Sequence, residues 1–327
     1  MPRAHFNIHG VPLEISADHP LLSEMFTEDL RWFRANGRPS SRNVIRLTLT
    51  ALPDSKNGTD YPKPFSPYRE MGSKRTTPSG NTVSCYGRSA VSVISNFREP
   101  SIHAAVLPEM ALLIDPAYHY CFTQPANFWF KRRGLFFLHA GCVTEGSQGI
   151  LLIGHSRSGK STLTVSAVRA GFQFLSDEQP LLSLRGGQVY AHCFPRRIRL
   201  DQSSAARFPE LQAARATAGK RLIFPMEIVR QRCVQKSCRL SLLIFPQFKK
   251  RGKSRVRPID PTVAMGKLLE DDHFVLYRNK PLDGISRQHF ELFEKLVRQA
   301  PAYTLEYTDA GILAVPALLR KLLKKRP

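Results

Sequence analysis

The chain has 327 residues, 42% hydrophobic and 23% charged, which suits one large domain or two ordinary ones and argues against global disorder. Its 48 Lys and Arg against 26 Asp and Glu leave a formal charge of +22, which suits phosphates, nucleic acid or acidic proteins, or is simply a basic soluble surface. No stretch reaches 18 consecutive apolar residues, so no membrane span or membrane partner is expected, and the start, MPRAHFNIHGVPLEI, lacks the apolar run of a secretory signal.

Residues 1–130 read as an N-terminal α+β region. FNIHGVPLEI predicts paired strands, and PLLSEMFTEDLRWF a helix with Leu22, Phe26, Leu30 and Phe33 on one face. VIRLTLT alternates as a strand. Residues 53–82, dense in Pro, Gly, Ser and charge, read as a flexible insertion. VSCYGRSAVSVI and MALLID return to strand character, and NFWFKRRG is helical. From residue 131 a nucleotide-binding domain is expected. LFFLHAGCVT reads as one strand, EGSQG as a turn, ILLIG as a buried strand and STLTVSAVRAG as a helix closed by Gly171. FQFLSD is the next strand. PLLSL and QVYAHCF form a hairpin about Arg185-Gly186-Gly187, followed by RRIRL as a further strand. SLLIFPQF is a strand and KKRGKSRVRP an exposed basic loop. TVAMGKLLE and RQHFELFEKLVRQA are amphipathic helices, AYTLEYT a strand, and ILAVPALLRKLLKK a closing helix.

The six cysteines are scattered without a CxxC pair, which is unlike a zinc site and reads as buried free thiols in a reducing, cytoplasmic setting. The charge is uneven. Between Lys220 and Arg257 stand 12 basic residues and one acid, Glu227, a region suited to an acidic partner or a phosphorylated substrate.

Gly154-His155-Ser156-Arg157-Ser158-Gly159-Lys160-Ser161 fits G-x-x-x-x-G-K-[ST] completely, with an apolar strand before it and a helix after it. Such a loop turns backbone N–H groups inward around phosphate oxygens, and the helix start adds its positive end. Lys160 would reach the β- and γ-phosphates of ATP and Ser161 would ligate Mg²⁺. Seventeen residues beyond Lys160, the strand FQFLSD ends in Asp177-Glu178, where a carboxylate faces the phosphates in many ATPases and elsewhere is only a solvated acid. Ser183-Leu184-Arg185-Gly186-Gly187-Gln188 mimics a transporter-ATPase signature, but it follows the acidic strand instead of preceding it, so Arg185-Gly186-Gly187 is read as a turn.

With that spacing, residues 136–182 resemble the catalytic domain of HPr kinase/phosphorylase, the bacterial enzyme that phosphorylates a serine of a sugar-transport carrier, and more closely its HPr-kinase-like relatives. Phe137-Leu138-His139-Ala140, the loop, GFQFLSDEQPLL and, more faintly, PAYTLEYT carry the likeness. The resemblance implies an α/β P-loop kinase domain, a mixed sheet flanked by helices, over residues 131–327. It implies Asp177 as general base, His139 beside it, and Glu178 holding metal or positioning Asp177. A core histidine is the alternative for His139. Gly154 to Thr162 would hold the nucleotide, and Ser161, Glu178 and Glu227 the metal, Glu227 from the faint echo Met226-Glu227-Ile228-Val229-Arg230. Thr162 stands where the family has glutamate, and Glu178 where it has a second aspartate, so neither the carrier protein nor the reverse reaction carries over. Arg196, Arg197 and Arg199 are candidates for steadying transition-state charge. The function expected is an ATP- and Mg²⁺-dependent kinase for a hydroxyl of a protein, peptide or metabolite. The alternatives are a nucleotide-binding switch or assembly ATPase and a nucleic-acid-binding protein. Self-association is implied because the family enzyme is hexameric.

Overall fold

The computed structural model describes residues 3–37, 43–51, 75–76, 81–86, 91–96, 99–106, 119–211, 216–217, 221–271 and 284–325. The chain divides into two compact units, Met1–Arg133 and Gly134–Pro327.

In the first unit, β1 (Arg3–Ile8) and β2 (Val11–Ala17) form the hairpin expected from FNIHGVPLEI, turning at His9-Gly10, both with positive φ. Helix α1 (Pro20–Asp29) starts on His19, whose Nδ1 accepts from the Leu21 amide, with Pro20 in the first turn where no amide hydrogen is needed. Leu22, Phe26, Leu30 and Phe33 are all buried, although the helix ends at Asp29 and a 3₁₀ turn (Arg31–Phe33) continues the face. The helix crosses between β2 and the parallel β3 (Ile45–Ala51). Strands β4 (Arg75–Thr76), β5 (Asn81–Tyr86), β6 (Val91–Asn96) and β7 (Ser101–Val106) complete a sheet of order β1-β2-β3-β7-β6-β5-β4. Part of the C-terminal end of the proposed insertion is therefore strand; most of it, and MALLID, lie outside the described residues. Helix α2 (Gln124–Lys131) closes the unit.

The second unit is a mixed α/β domain. Its main sheet runs β11-β9-β10-β17-β13-β12-β8, with β19 paired to β17 and β18 to β19. The strands are β8 (Phe136–Phe137), β9 (Ala140–Glu145), β10 (Gln148–Ile153), β11 (Gln173–Ser176), β12 (Leu181–Arg185), β13 (Gln188–His192), β17 (Ser237–Phe248), β18 (Arg255–Ile259) and β19 (Ala302–Tyr307). A smaller sheet holds β14 (Ile198–Asp201), β15 (Ala216–Thr217) and β16 (Arg221–Phe224). The single strand expected from LFFLHAGCVT is two: β8 pairs with β12 while β9 pairs with β10 and β11, and the chain changes neighbours at Leu138-His139.

Alternate residues of β10 decide the packing. Ile150 and Leu152 join Val143, Leu163, Val168, Phe174, Leu242 and Leu319 in one core beneath α3 (Lys160–Arg169) and α7 (Val315–Lys324). The short helix α4 (Gln202–Ala205) adds Ala205 to it. Leu151 and Leu243, equally buried, point to the face where α6 (Ile285–Gln299) covers β13 and β17, after α5 (Pro261–Asp271). Arg320 of α7 locks the corner. It pairs with Glu145 at 3.1 Å, donates to the Ala170 carbonyl at 2.7 Å and lies 4.7 Å over the Phe172 ring.

Cys121, Cys142, Cys193, Cys233 and Cys238 are buried and free. Burial raises the thiols of Cys121 and Cys142 and pushes Cys193 up to about 12 and Cys233 up to about 11, far from the reactive thiolate range. Cys85 lies where side chains are not described. In folded protein at pH 8, at most one thiol, that of Cys85, is expected to react rapidly with an aromatic disulfide reagent, and all six in denaturant. Rapid titration of two or more would contradict this core.

Candidate active site

Sheet order determines which residues meet. β10 ends at Ile153, opposite Ala140, where β9 begins. β11 is antiparallel to β9 and β9 to β10, so β11 and β10 run the same way and end at one edge. Gly154 therefore leaves the sheet beside Asp177, and His139, immediately before β9, starts from the same edge. The Ala140 amide donates to the Glu178 carbonyl at 3.2 Å, and the Leu138 amide to that of Pro180 at 3.1 Å, which fixes the crossing on which His139 sits. On the other side β17 is parallel to β10, and β19 to β17, so Phe248 and Tyr307 end there too. The carboxyl ends of parallel strands are where open α/β sheets take ligands.

The loop's backbone is held by its neighbours. Gly159 has φ 92°, and a Cβ on it would come within 1.6 Å of the Tyr307 hydroxyl. That hydroxyl donates to the Ser158 carbonyl at 3.0 Å. Burial pushes the phenol up to about 12, with Arg207 pulling down and Asp309 up, so it remains a donor throughout the neutral range. Arg157, at the exposed tip, holds φ 70°, unusual for a residue with a side chain. Lys160 is 7% exposed, and its ammonium donates to the carbonyls of Gly154 and His155. The cation thus lies inside the turn. Ser166 of α3 donates to the Ile312 carbonyl at 3.0 Å, tying the loop's helix to the segment after β19.

Asp177 is 6% exposed. Burial, then the neighbouring Glu178, push its carboxyl up to about 7; the hydroxyls of Ser161 and Thr164 and the ammonium of Lys160 pull the other way. These three partners all belong to the loop and its helix, so the side chain is directed at the turn. Its Oδ1 is fully buried without a hydrogen-bond partner. A buried carboxylate oxygen left open beside a serine hydroxyl fits a cation better than it fits a folded core.

A cavity of about 640 Å³ opens over the loop, and its walls include His139, Lys160, Ser161, Thr162 and Glu178. Ser156, Arg157 and Gly159 of the loop also reach it. His155, with Gly154 and Ser158, faces a second cavity of about 390 Å³ on the other side of the loop. Of the three arginines noted beside it, Arg199 lines the larger cavity and pairs with Glu178 at 3.4 Å, while Arg196 donates to Gln179 at 3.4 Å. Glu227 is not brought there. It lies in a 3₁₀ turn (Met226–Ile228) and acts on Cys233 across the strand ends away from the loop. The opposite wall holds residues that the sequence did not single out: Arg207, ion-paired to Asp309 at 2.6 Å, with Tyr307 and Phe248. Asp201 caps α4 through the Ser204 amide at 2.8 Å, and an Asp followed two and three residues later by serines was the available signal.

No family model matches the chain, and no curated protein matches it. The solved structures similar to it include the HPr(Ser) kinase/phosphatase from Coxiella burnetii, at 13% identity and a TM-score of 0.33 over 58% of this chain and 91% of that one. The chemistry is therefore read from the residues of this chain.

Among the described residues no group of three or more His, Cys, Asp or Glu is arranged to hold a metal ion, and no helix is long and apolar enough to cross a membrane. Magnesium beside a nucleotide does not need such a cage. It is held by one or two carboxylates, a hydroxyl and the phosphates themselves. Ser161 and Asp177, with Glu178 next to it, fit that pattern.

Proposed function

We propose that the protein is an ATP-dependent phosphotransferase acting on a hydroxyl. The observation that carries this reading is the buried Asp177 carboxyl, directed at Ser161 and Lys160 from the strand edge beside the phosphate loop. The loop amides and Lys160 bind and orient the phosphates. Asp177 accepts the proton of an incoming hydroxyl, a role favoured by a carboxyl poised near neutral pH. His139 lines the cavity over the loop and helps orient that hydroxyl, and Arg199, also on that cavity, offers positive charge to the transferring group. Magnesium, held by Ser161 with Asp177 or Glu178, would neutralise charge on the phosphates. Phosphoryl transfer asks little more of a protein than positioning and electrostatic stabilisation.

The test is turnover of ATP with magnesium by the full chain. Slow hydrolysis is expected without acceptor, and Lys160→Ala should lower it at least about 100-fold, with chelation of magnesium doing the same. Undiminished hydrolysis by Lys160→Ala would remove the loop from the chemistry and the proposal with it.

A further inference from the structure

Six cations crowd into the nine residues after Phe248: Lys249, Lys250, Arg251, Lys253, Arg255 and Arg257, with no acid among them. All six are exposed. Arg257 has a distant partner in Glu306 at 4.0 Å; among the described residues none of the other five is ion-paired. Such crowding repels itself and does nothing for the fold. Yet the turn is anchored. The Lys249 amide donates to the Tyr307 carbonyl at 2.8 Å, and β18 pairs along β19 from Arg255 to Ile259. Ser254 packs so close to Gly311 that a Cβ there would come within 2.4 Å of its hydroxyl. Tyr307, Asp309 and Ile312 all line the cavity over the phosphate loop. The basic turn is therefore fixed at both ends to one wall of that cavity.

We infer that this basic turn, which carries the chain from β17 past β19 to β18, docks an acidic polypeptide, which narrows the acceptor, on the phosphotransferase reading above, to a protein or peptide. The reach decides against a metabolite. From β11, which ends just before Asp177, to β19 the order is β11-β9-β10-β17-β19. Four strand spacings of about 4.8 Å make roughly 19 Å, which an extended chain covers in about six residues. A molecule touching both the basic turn and Asp177 must be of that length. Nucleic acid is disfavoured because residues 249–257 contain no aromatic side chain on which a base could stack, and the exposed ring just before them, Phe248, is engaged edge-on by Tyr307 at 5.7 Å.

The experiment uses fluorescent peptides with one serine and four glutamates placed six residues away, and the same peptide with glutamines. Binding to the full chain at about 0.1 M salt, where exposed charges act over about 10 Å, is followed by anisotropy. The charge reversal Lys249→Glu, Lys250→Glu, Arg251→Glu should weaken the acidic peptide at least tenfold. A matched reversal on α7 and just after it, Lys321→Glu, Lys324→Glu, Lys325→Glu, should change it less than twofold, and neither should alter ATP affinity. Equal losses in the two reversals would mean diffuse attraction to a basic protein and overturn the proposal. So would a single-stranded oligonucleotide held more tightly than the peptide by the same three residues. Peptide binding that depends on the basic turn, without any phosphate on the serine, would leave the docking site standing and refute the kinase reading alone.

Discussion

Asp177→Asn should abolish most turnover and at the same time make the folded protein more stable above neutral pH. The loss of a proton acceptor in the transition state is expected to lower ATP consumption about 10²- to 10⁴-fold, with nucleotide affinity changed only a few-fold because Lys160 and the loop amides remain. The stability effect follows from the raised carboxyl. Its folded value is about 7 against an ordinary 3.8, so the folded state holds this proton more tightly than the unfolded chain does. Stability from this group is complete below about pH 4, falls as pH rises, and is lost above about 7. At about 1.4 kcal/mol per pH unit, the buried charge costs roughly 4 kcal/mol at pH 8. Asparagine has the same shape and no charge. Its melting temperature should exceed that of the parent by several degrees at pH 8, and the gap should close towards pH 4. Turnover in the parent should rise with pH and level off near 7. Parallel melting curves across this range would mean that the carboxyl is solvated and does not face the loop.

This combination, an inactive variant that is also more stable, is what a strained functional carboxylate predicts and a merely structural one does not. The same residue shows how far the sequence could be read. The loop was legible because its chemistry is local: two glycines, a lysine and a serine at fixed offsets between a strand and a helix. Asp177 was legible as the end of an apolar strand. That it meets the loop depends on β9 lying between β10 and β11, and no local pattern states which strands are neighbours. LFFLHAGCVT looked like one strand because apolar residues continue through it; the break at Leu138-His139 is a tertiary event, forced by β8 pairing with β12 while β9 pairs with β10. The opposite wall was missed for the same reason. Phe248 and Tyr307 lie far apart in sequence and come together only through parallel pairing of β17 and β19, and Arg207 joins them through its ion pair with Asp309. Glu227 was proposed from a faint motif, and the turn that holds it lies away from the cavity.

Gly159→Ala tests that opposite wall, and its effect should be as large as that of any single methyl group in the chain. Two costs add. At φ 92° a side chain meets its own carbonyl, which costs about 1–2 kcal/mol. The new Cβ would also lie 1.6 Å from the Tyr307 hydroxyl and 2.9 Å from the ring carbon that bears it. Neither neighbour yields easily, since Tyr307 is buried, edge-on to Phe248 at 5.7 Å and bonded to the Ser158 carbonyl. Overpacking of a close-set core costs about 1–3 kcal/mol more. The loop must therefore shift, and the variant is expected to lose ATP and tripolyphosphate binding together, by at least about 100-fold in calorimetric titration, and to melt several degrees lower. Tyr307→Phe alone removes one hydrogen bond worth about 1 kcal/mol and should leave binding nearly intact. Combined with Gly159→Ala, it takes away the 1.6 Å contact but neither the 2.9 Å one nor the backbone strain, so stability should recover in part. Full recovery would mean that the hydroxyl was the whole obstacle. No recovery would mean that the loop's own left-handed turn, and not its support from β19, makes glycine obligatory at this position.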